Sequence, residues 1–266
     1  MNLFLKKYII QTNVWVALCF TGLFIFFQLG LYEKIVSVWG IVFFGTLAIY
    51  NFSRIKSLDE FFHFRSEKRL QILLTYIGLL GALICVLLRG FEFKTFLYLG
   101  VLGFVSFCYS LPFSGLGLRA IPFLKLFLIA FVWAGSSIGL LLMVHHDVFH
   151  YKLLFLSVFL FVIGITIPFD IRDSSSDEKE LKTIPQVIGT KNARILAMLS
   201  LVLSAVCFYL EFLTFNYLLI SWWLTIIVSL GLAAGSSAKK SDAYYSFWLE
   251  GCSLLPLLIY LILNLF

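Results

Sequence analysis

Three aspartates in one short stretch carry the clearest chemical signal in this 266-residue sequence. They lie in Pro168-Phe169-Asp170-Ile171-Arg172-Asp173-Ser174-Ser175-Ser176-Asp177, which is followed by Leu181-Lys182-Thr183-Ile184-Pro185 and Ile188-Gly189. Asp170, Asp173 and Asp177 are spaced i, i+3, i+7, so a helix would present all three on one face. Carboxylates held that close repel one another, and each becomes harder to ionise unless a cation sits between them. Hard oxygen ligands in this arrangement suit Mg²⁺, which commonly combines one or two carboxylates with the phosphates of a substrate. A solvated acidic loop at a membrane surface would carry the same acids, so the flanking residues must separate the two readings.

The elements that position these residues follow from composition. The chain is 61% hydrophobic and only 13% charged. Crossing the hydrocarbon core of a bilayer takes about 20 apolar residues in a helix, and such stretches recur throughout. They are continuously apolar and do not alternate, which excludes a transmembrane barrel. The predicted spans are 8–31, 35–50, 70–89, 95–111, 122–143, 152–169, 193–215, 217–235 and 245–265. The expected fold is all-α: one domain, 1–266, of about nine transmembrane helices. The second span is short as apolar sequence and is expected to continue as helix past Tyr50. The first run, behind Lys6 and Lys7, is longer than a signal-peptide core and ends in no small-residue cleavage pattern, so it reads as a span. Cys19, Cys85, Cys108, Cys207 and Cys252 lie in or beside apolar segments with no CxxC pair, as small buried hydrophobes do.

Loop charge sets the orientation. With nine spans, one side collects Lys6, Lys7, Arg54, Lys56, Arg65, Lys68, Arg69, Arg119, Lys125, Arg172, Lys179, Lys182, Lys191, Arg194, Lys239 and Lys240; the other has Lys34, Arg89, Lys94 and Lys152. The basic side is expected to be cytosolic, with the N-terminus on it, in a multi-pass protein of the plasma (inner) membrane. The net charge of +6 is then topology and anionic-headgroup contact. No soluble basic domain is left over to bind nucleic acid. Loops 51–69 and 170–192 are long, follow the second and sixth spans, and hint at duplication of a four-helix unit.

Asp170-Ile171-Arg172-Asp173, Asp177, Lys182-Thr183-Ile184-Pro185 and Gly189 together resemble the second aspartate-rich motif of the UbiA superfamily of intramembrane prenyltransferases. Tyr109-Ser110-Leu111-Pro112, with Pro122 and Lys125 beyond, is similar to the segment joining the fourth and fifth helices of that family. The resemblance implies nine helices around a central cavity. It implies Mg²⁺ held by two aspartate-rich motifs against the diphosphate of a polyprenyl donor, whose prenyl group passes to an aromatic or lipid acceptor. Carried onto this chain, Asp170, Asp173, Asp177 and Asp59 are the implied metal ligands and Asn51 completes the catalytic set, while Arg54, Lys68, Arg119 and Lys182 are implied to hold diphosphate. The chemistry is coherent: an allylic diphosphate ionises once its leaving group is neutralised, and the carbocation is stabilised by aromatic faces and shielded from water.

The first motif departs from the family pattern, which has Asn, then Asp four and eight residues on. Asn51 and Asp59 fit, but Ile55 stands where the middle aspartate belongs, Phe52 follows Asn51, and Arg54 and Lys56 replace acids. A UbiA-like protein that binds an isoprenoid or lipid without transferring it, or serves as an accessory subunit, is therefore the alternative. A transporter fits less well, because the charges sit in loops and few lie at mid-membrane. Glu250, inside the last span, is either functional or a helix-packing partner. His145, His146, Asp147 and His150 suit a metal or a solvated loop, and Gly135 with Gly139 suits a close helix contact. The 30 Phe, 12 Tyr and 6 Trp are mostly lipid-facing and packing residues and do not by themselves argue for prenyl binding.

Overall fold

The structure, a computed structural model, describes residues 6–32, 38–55, 62, 68–110, 124–147, 150–174 and 182–265. Its main helices are α1 Val14–Tyr32, α2 Trp39–Phe52, α3 Arg69–Arg89, α4 Phe93–Ser110, α5 Leu124–His145, α6 Lys152–Asp173, α7 Ile184–Phe212, α8 Tyr217–Ala234 and α9 Leu255–Leu263, the last preceded by a π-helical turn at Tyr244–Leu249. Seven of them (α1 and α3 to α8) are long and apolar enough to cross a membrane. The second and ninth predicted spans appear as the shorter α2 and as the segmented helix that ends in α9.

Neighbouring helices pack in a ring. α1 packs on α2, and α2 on both α3 and α4; α4 leads to α5, then α6, α7, α8 and α9, and α9 closes on α1. The outer face is apolar: Leu80, Leu87 and Leu88 on α3, Phe93 and Phe104 on α4, and Ile227 on α8 are all exposed. In lipid that exposure needs no further partner, because each helix satisfies its own backbone. Inside, Phe26, Phe27, Phe161, Phe208 and Trp222 form a buried aromatic cluster that joins α1, α6, α7 and α8.

Three boundaries differ from the sequence reading, and each bears on the motifs. α2 ends at Phe52, with Ser53 as its C-cap, so it runs only two residues past Tyr50. α6 continues through the end of its apolar run to Asp173, which puts Asp170 and Asp173 on the last turn of a rigid helix and not in a loop. α7 begins at Ile184, inside the predicted loop, with Pro185 in its first turn and the Gln186 side chain accepting from Thr183 N–H at 2.9 Å. It then bends at Gly189, whose φ of 81° an L side chain would resist.

At Gly78 the backbones of α2 and α3 come into contact. A Cβ there would stand 2.7 Å from both Ala48 N and Phe44 O. Gly135 and Gly139 likewise seat Tyr98 of α4, whose hydroxyl donates to Gly135 O at 2.9 Å, the close contact that their spacing suggests. All five cysteines are free.

Candidate functional site

At the end of the ring where α2 and α6 finish, a polar cavity of about 560 Å³ opens. Its wall takes Ile10 and Gln11 from the segment before α1, Arg54 from the turn after α2, Phe169, Arg172 and Asp173 from α6, and Asp242, Ala243, Ser246 and Glu250 from the start of the last helix.

Arg172 is the most constrained charge in it. Its Nε and Nη2 donate to the two carboxylate oxygens of Asp173 at 2.7 and 2.8 Å. Its guanidinium carbon lies 5.4 Å from the Phe169 ring centre and 5.3 Å from that of Tyr245. Tyr245 is itself clamped, accepting from Ser237 N–H at 2.9 Å and donating to Ser237 O at 2.7 Å. The turn between α8 and α9 therefore fixes Tyr245, and Tyr245 fixes Arg172.

Arg54 faces the same cavity from the turn after α2, and Lys68 Nζ donates to the Arg54 carbonyl, bracing that turn. Burial among other charges, including Arg172, holds the Arg54 guanidinium below its ordinary value. The described lining brings two guanidinium groups together with three carboxylates (Asp173, Asp242 and Glu250).

Four residues before Arg54, Tyr50 lines an apolar cavity of about 450 Å³ that runs between α1, α2, α3, α4 and α5. Tyr50 accepts a hydrogen bond from Trp133 Nε1 at 3.1 Å, and Trp133 packs on Phe20 with ring centres 4.3 Å apart. Both aromatics of that pair line the cavity, with Gly45, Leu79, Leu83, Gly103 and Phe107 farther along it. A charged chamber thus adjoins an apolar one at the end of α2.

The residues singled out from sequence have separate fates. Asp170 is buried and paired with Lys125 Nζ at 2.7 Å, and it is not among the lining residues of the polar cavity. Asn51 is buried: its amide nitrogen donates to Thr12 O at 2.9 Å and Leu47 O at 2.8 Å, and its oxygen accepts from Asn13 Nδ2 at 3.2 Å. Those bonds fasten the end of α2 to the turn before α1. Ile55 is buried against Phe52 and Ile72, with Tyr76 packed alongside. Lys182 stands exposed just before α7 and is not among the cavity's lining residues. Asp59, Arg119 and Asp177 lie outside the described residues, as do Lys56, Pro112 and Pro122. The sequence motifs give Tyr245, Phe169, Tyr50 and Trp133 no role; they occur among 48 aromatic side chains, and only the fold separates them from the rest.

The described lining offers Mg²⁺ the right kind of ligand, Asp173 among them, without completing a site for it. Its carboxylates are hard oxygen donors of the kind a divalent cation takes, and its two guanidinium groups suit an anion beside that cation. Among the described residues no three His, Cys, Asp or Glu side chains converge closely enough to hold one; Asp170 pairs with Lys125 and Asp173 with Arg172. At the opposite end of the bundle Tyr32 donates to Asp147 at 3.1 Å and stacks on His145, and His146 and His150 lie 3.7 and 3.9 Å from Glu92 and Asp147; no metal-holding group forms there either among the described residues.

No family model and no curated protein matches the sequence. Solved structures do match. The chain superposes on the apo structure of a UbiA homologue from Aeropyrum pernix K1 with a TM-score of 0.70 at 14% identity, over 94% of this chain and 98% of that one. The chain has the UbiA fold. It also superposes on a UbiA homologue from Archaeoglobus fulgidus, solved bound to GPP and Mg²⁺, with a TM-score of 0.64 at 13% identity, over 98% of this chain and 100% of that one. The UbiA-type helical bundle is therefore present over nearly the whole chain, in an integral, multi-pass membrane protein.

Proposed function

We propose that the chain binds a polyprenyl diphosphate, with the diphosphate in the polar cavity and the chain in the apolar one, and transfers the prenyl group to an aromatic or lipid acceptor within the membrane. The observation that carries this reading is the adjacency of the two chambers at the end of α2, where Tyr50 of the helix and Arg54 of the turn that follows are four residues apart. An amphiphile with a compact, highly charged head and a long apolar tail matches both chambers at once. The likeness in fold to a homologue bound to GPP and Mg²⁺ supports the same substrate class.

In this reading the nine spans of the sequence are nine membrane crossings, and the polar cavity lies on the cytosolic side of the plasma (inner) membrane. Arg54 and Arg172 contact the diphosphate directly. Mg²⁺, held by Asp173 together with Asp59 and Asp177, would supply the remaining neutralisation of the leaving group. Lys68 acts through the Arg54 turn it braces, while Asn51 and Asp170 hold helix ends in place. Tyr50 and Trp133 stand where the allylic carbon would lie, offering ring faces to developing positive charge and excluding water.

A second reading is favoured by Ile55, Asp170 and Asn51. Their side chains are committed to packing, to Lys125 and to the backbone, and a site short of ligands could hold an isoprenoid without transferring it. One experiment separates the two. Purified protein is given radiolabelled geranylgeranyl diphosphate and a membrane lipid extract, with and without Mg²⁺. Label appearing in a new lipid product only with Mg²⁺ supports transfer. Saturable binding without product supports the carrier reading, and neither binding nor product defeats both.

A further inference from the structure

We infer that Gly45 and Gly103 set the length of prenyl chain that the apolar cavity accepts, by leaving open the space that side chains at those positions would fill. The inference rests on the substrate class proposed above and adds a specificity element to it.

Glycine is a poor helix former, and each helical glycine calls for a reason. Gly78 and Gly81 have one in close packing, since a Cβ would meet backbone atoms of α2 at 2.7 Å at the first and the Phe44 ring at 2.6 Å at the second. Gly45, in α2, and Gly103, in α4, have no such neighbour: nothing lies within 4 Å of a Cβ built at either. Both line the apolar cavity. A side chain at either position would therefore narrow the cavity, or at the exposed Gly103 its mouth, without striking protein.

Their depth gives the effect a scale. Gly45 precedes the end of α2 at Phe52 by seven residues, which at 1.5 Å per residue places it roughly 10 Å from the helix end beside the polar cavity. Gly103 precedes the end of α4 at Ser110 by seven, roughly 10 Å, and so lies at a similar level. An extended chain advances about 1.2 Å per backbone bond, from the 3.3–3.6 Å spanned by three bonds of a peptide. An isoprene unit adds four such bonds, so about 5 Å, and the two glycines flank the third unit or the end of the second. A side chain there leaves room for a geranyl group and obstructs a geranylgeranyl group.

The test uses the full-length protein in detergent, with binding of geranyl diphosphate and geranylgeranyl diphosphate measured under identical conditions. Gly45→Leu and Gly103→Leu should keep geranyl diphosphate affinity within about threefold of wild type and lose about tenfold or more for geranylgeranyl diphosphate, since excluding even two or three methylene equivalents costs that much. Gly45→Ala and Gly103→Ala should shift the ratio in the same direction by less, and they carry the comparison if a leucine variant unfolds early. An unchanged ratio of the two affinities in folded variants overturns the inference alone. Wild-type protein that binds neither diphosphate overturns the substrate reading on which it stands.

Discussion

Lys125 Nζ lies 2.7 Å from Asp170 Oδ1, an ion pair that ties α5 to α6 with the aspartate almost wholly buried. It turns the first aspartate of the motif into a fastener between helices. Removing one partner of a buried pair strands the other charge and costs 3–5 kcal/mol when both are fully buried. Lys125 keeps some contact with solvent, so Asp170→Ala should cost about 2–3 kcal/mol. It should lower the detergent melting temperature clearly, and the double variant Lys125→Met/Asp170→Leu should recover most of the loss. Normal stability of Asp170→Ala alone would show that the pair does not hold the bundle.

Asp173 and Glu250 should behave differently, because they face the cavity beside Arg172 and Arg54. Taking away a carboxylate makes the cavity more positive. Asp173→Ala is therefore expected to strengthen binding of inorganic diphosphate measured without metal, and Glu250→Gln, at a position inside the last helix where a carboxyl is costlier to ionise, to change it by less. One charge-assisted contact released for the ligand is worth about 1.5–3 kcal/mol, or roughly one to two decades. Only Asp173→Ala should also abolish the further gain on adding Mg²⁺, and Asp177→Ala should match it in that respect. Isothermal titration with and without Mg²⁺ reads both effects; a metal-dependent gain that survives in Asp173→Ala removes that residue from the metal site.

The helical class and the order of the spans were legible because apolar runs of bilayer length have few alternatives. The identity of the fold was legible in the segment from Asp170 to Gly189, where acids, Thr-Ile-Pro and a glycine recur at fixed offsets. Which acids face the cavity was not legible. Asp170 and Asp173 look equivalent in sequence and lie only about 60° apart around a helix of 3.6 residues per turn, yet one meets Lys125 of α5 and the other its own neighbour Arg172. Nor does spacing show that Asn51 spends its amide on Thr12 and Leu47. The partners of a polar side chain depend on which helices the ring brings together, and that is long-range information. The two chambers emerge only from packing, since Arg54 and Glu250 are nearly 200 residues apart in the chain.

Orientation can be checked directly. Sixteen of the 20 Lys and Arg residues fall on the side assigned to the N-terminus by nine crossings, and such a bias predicts that this side is cytosolic. A reporter active only in the cytosol should give signal when fused before Met1 and none when fused after Phe266. Signal from both fusions would mean an even number of crossings, with α2 or the segmented α9 failing to span.

Ile55 tests how far the first aspartate-rich motif survives. A carboxylate at this position would complete the sequence pattern, one turn after Asn51 and one before Asp59, if the helix ran on. It does not: α2 stops at Phe52, and Ile55 turns into an apolar cluster with Phe52 and Ile72. An aspartate there would sit among apolar side chains and be desolvated. Burying an unpaired carboxylate is costly enough that it protonates or drives local rearrangement. Ile55→Asp should therefore destabilise the protein by about 2–4 kcal/mol, combining lost apolar burial with desolvation, and should leave the Mg²⁺ concentration needed for diphosphate binding unchanged. Ile55→Val keeps the apolar contacts and should cost about 1 kcal/mol. Thermal unfolding and Mg²⁺ titration of the two variants decide the matter. If Ile55→Asp stays as stable as wild type and binds diphosphate at lower Mg²⁺, position 55 reaches the polar cavity after all, and the cluster seen around Ile55 is not the one the working protein keeps.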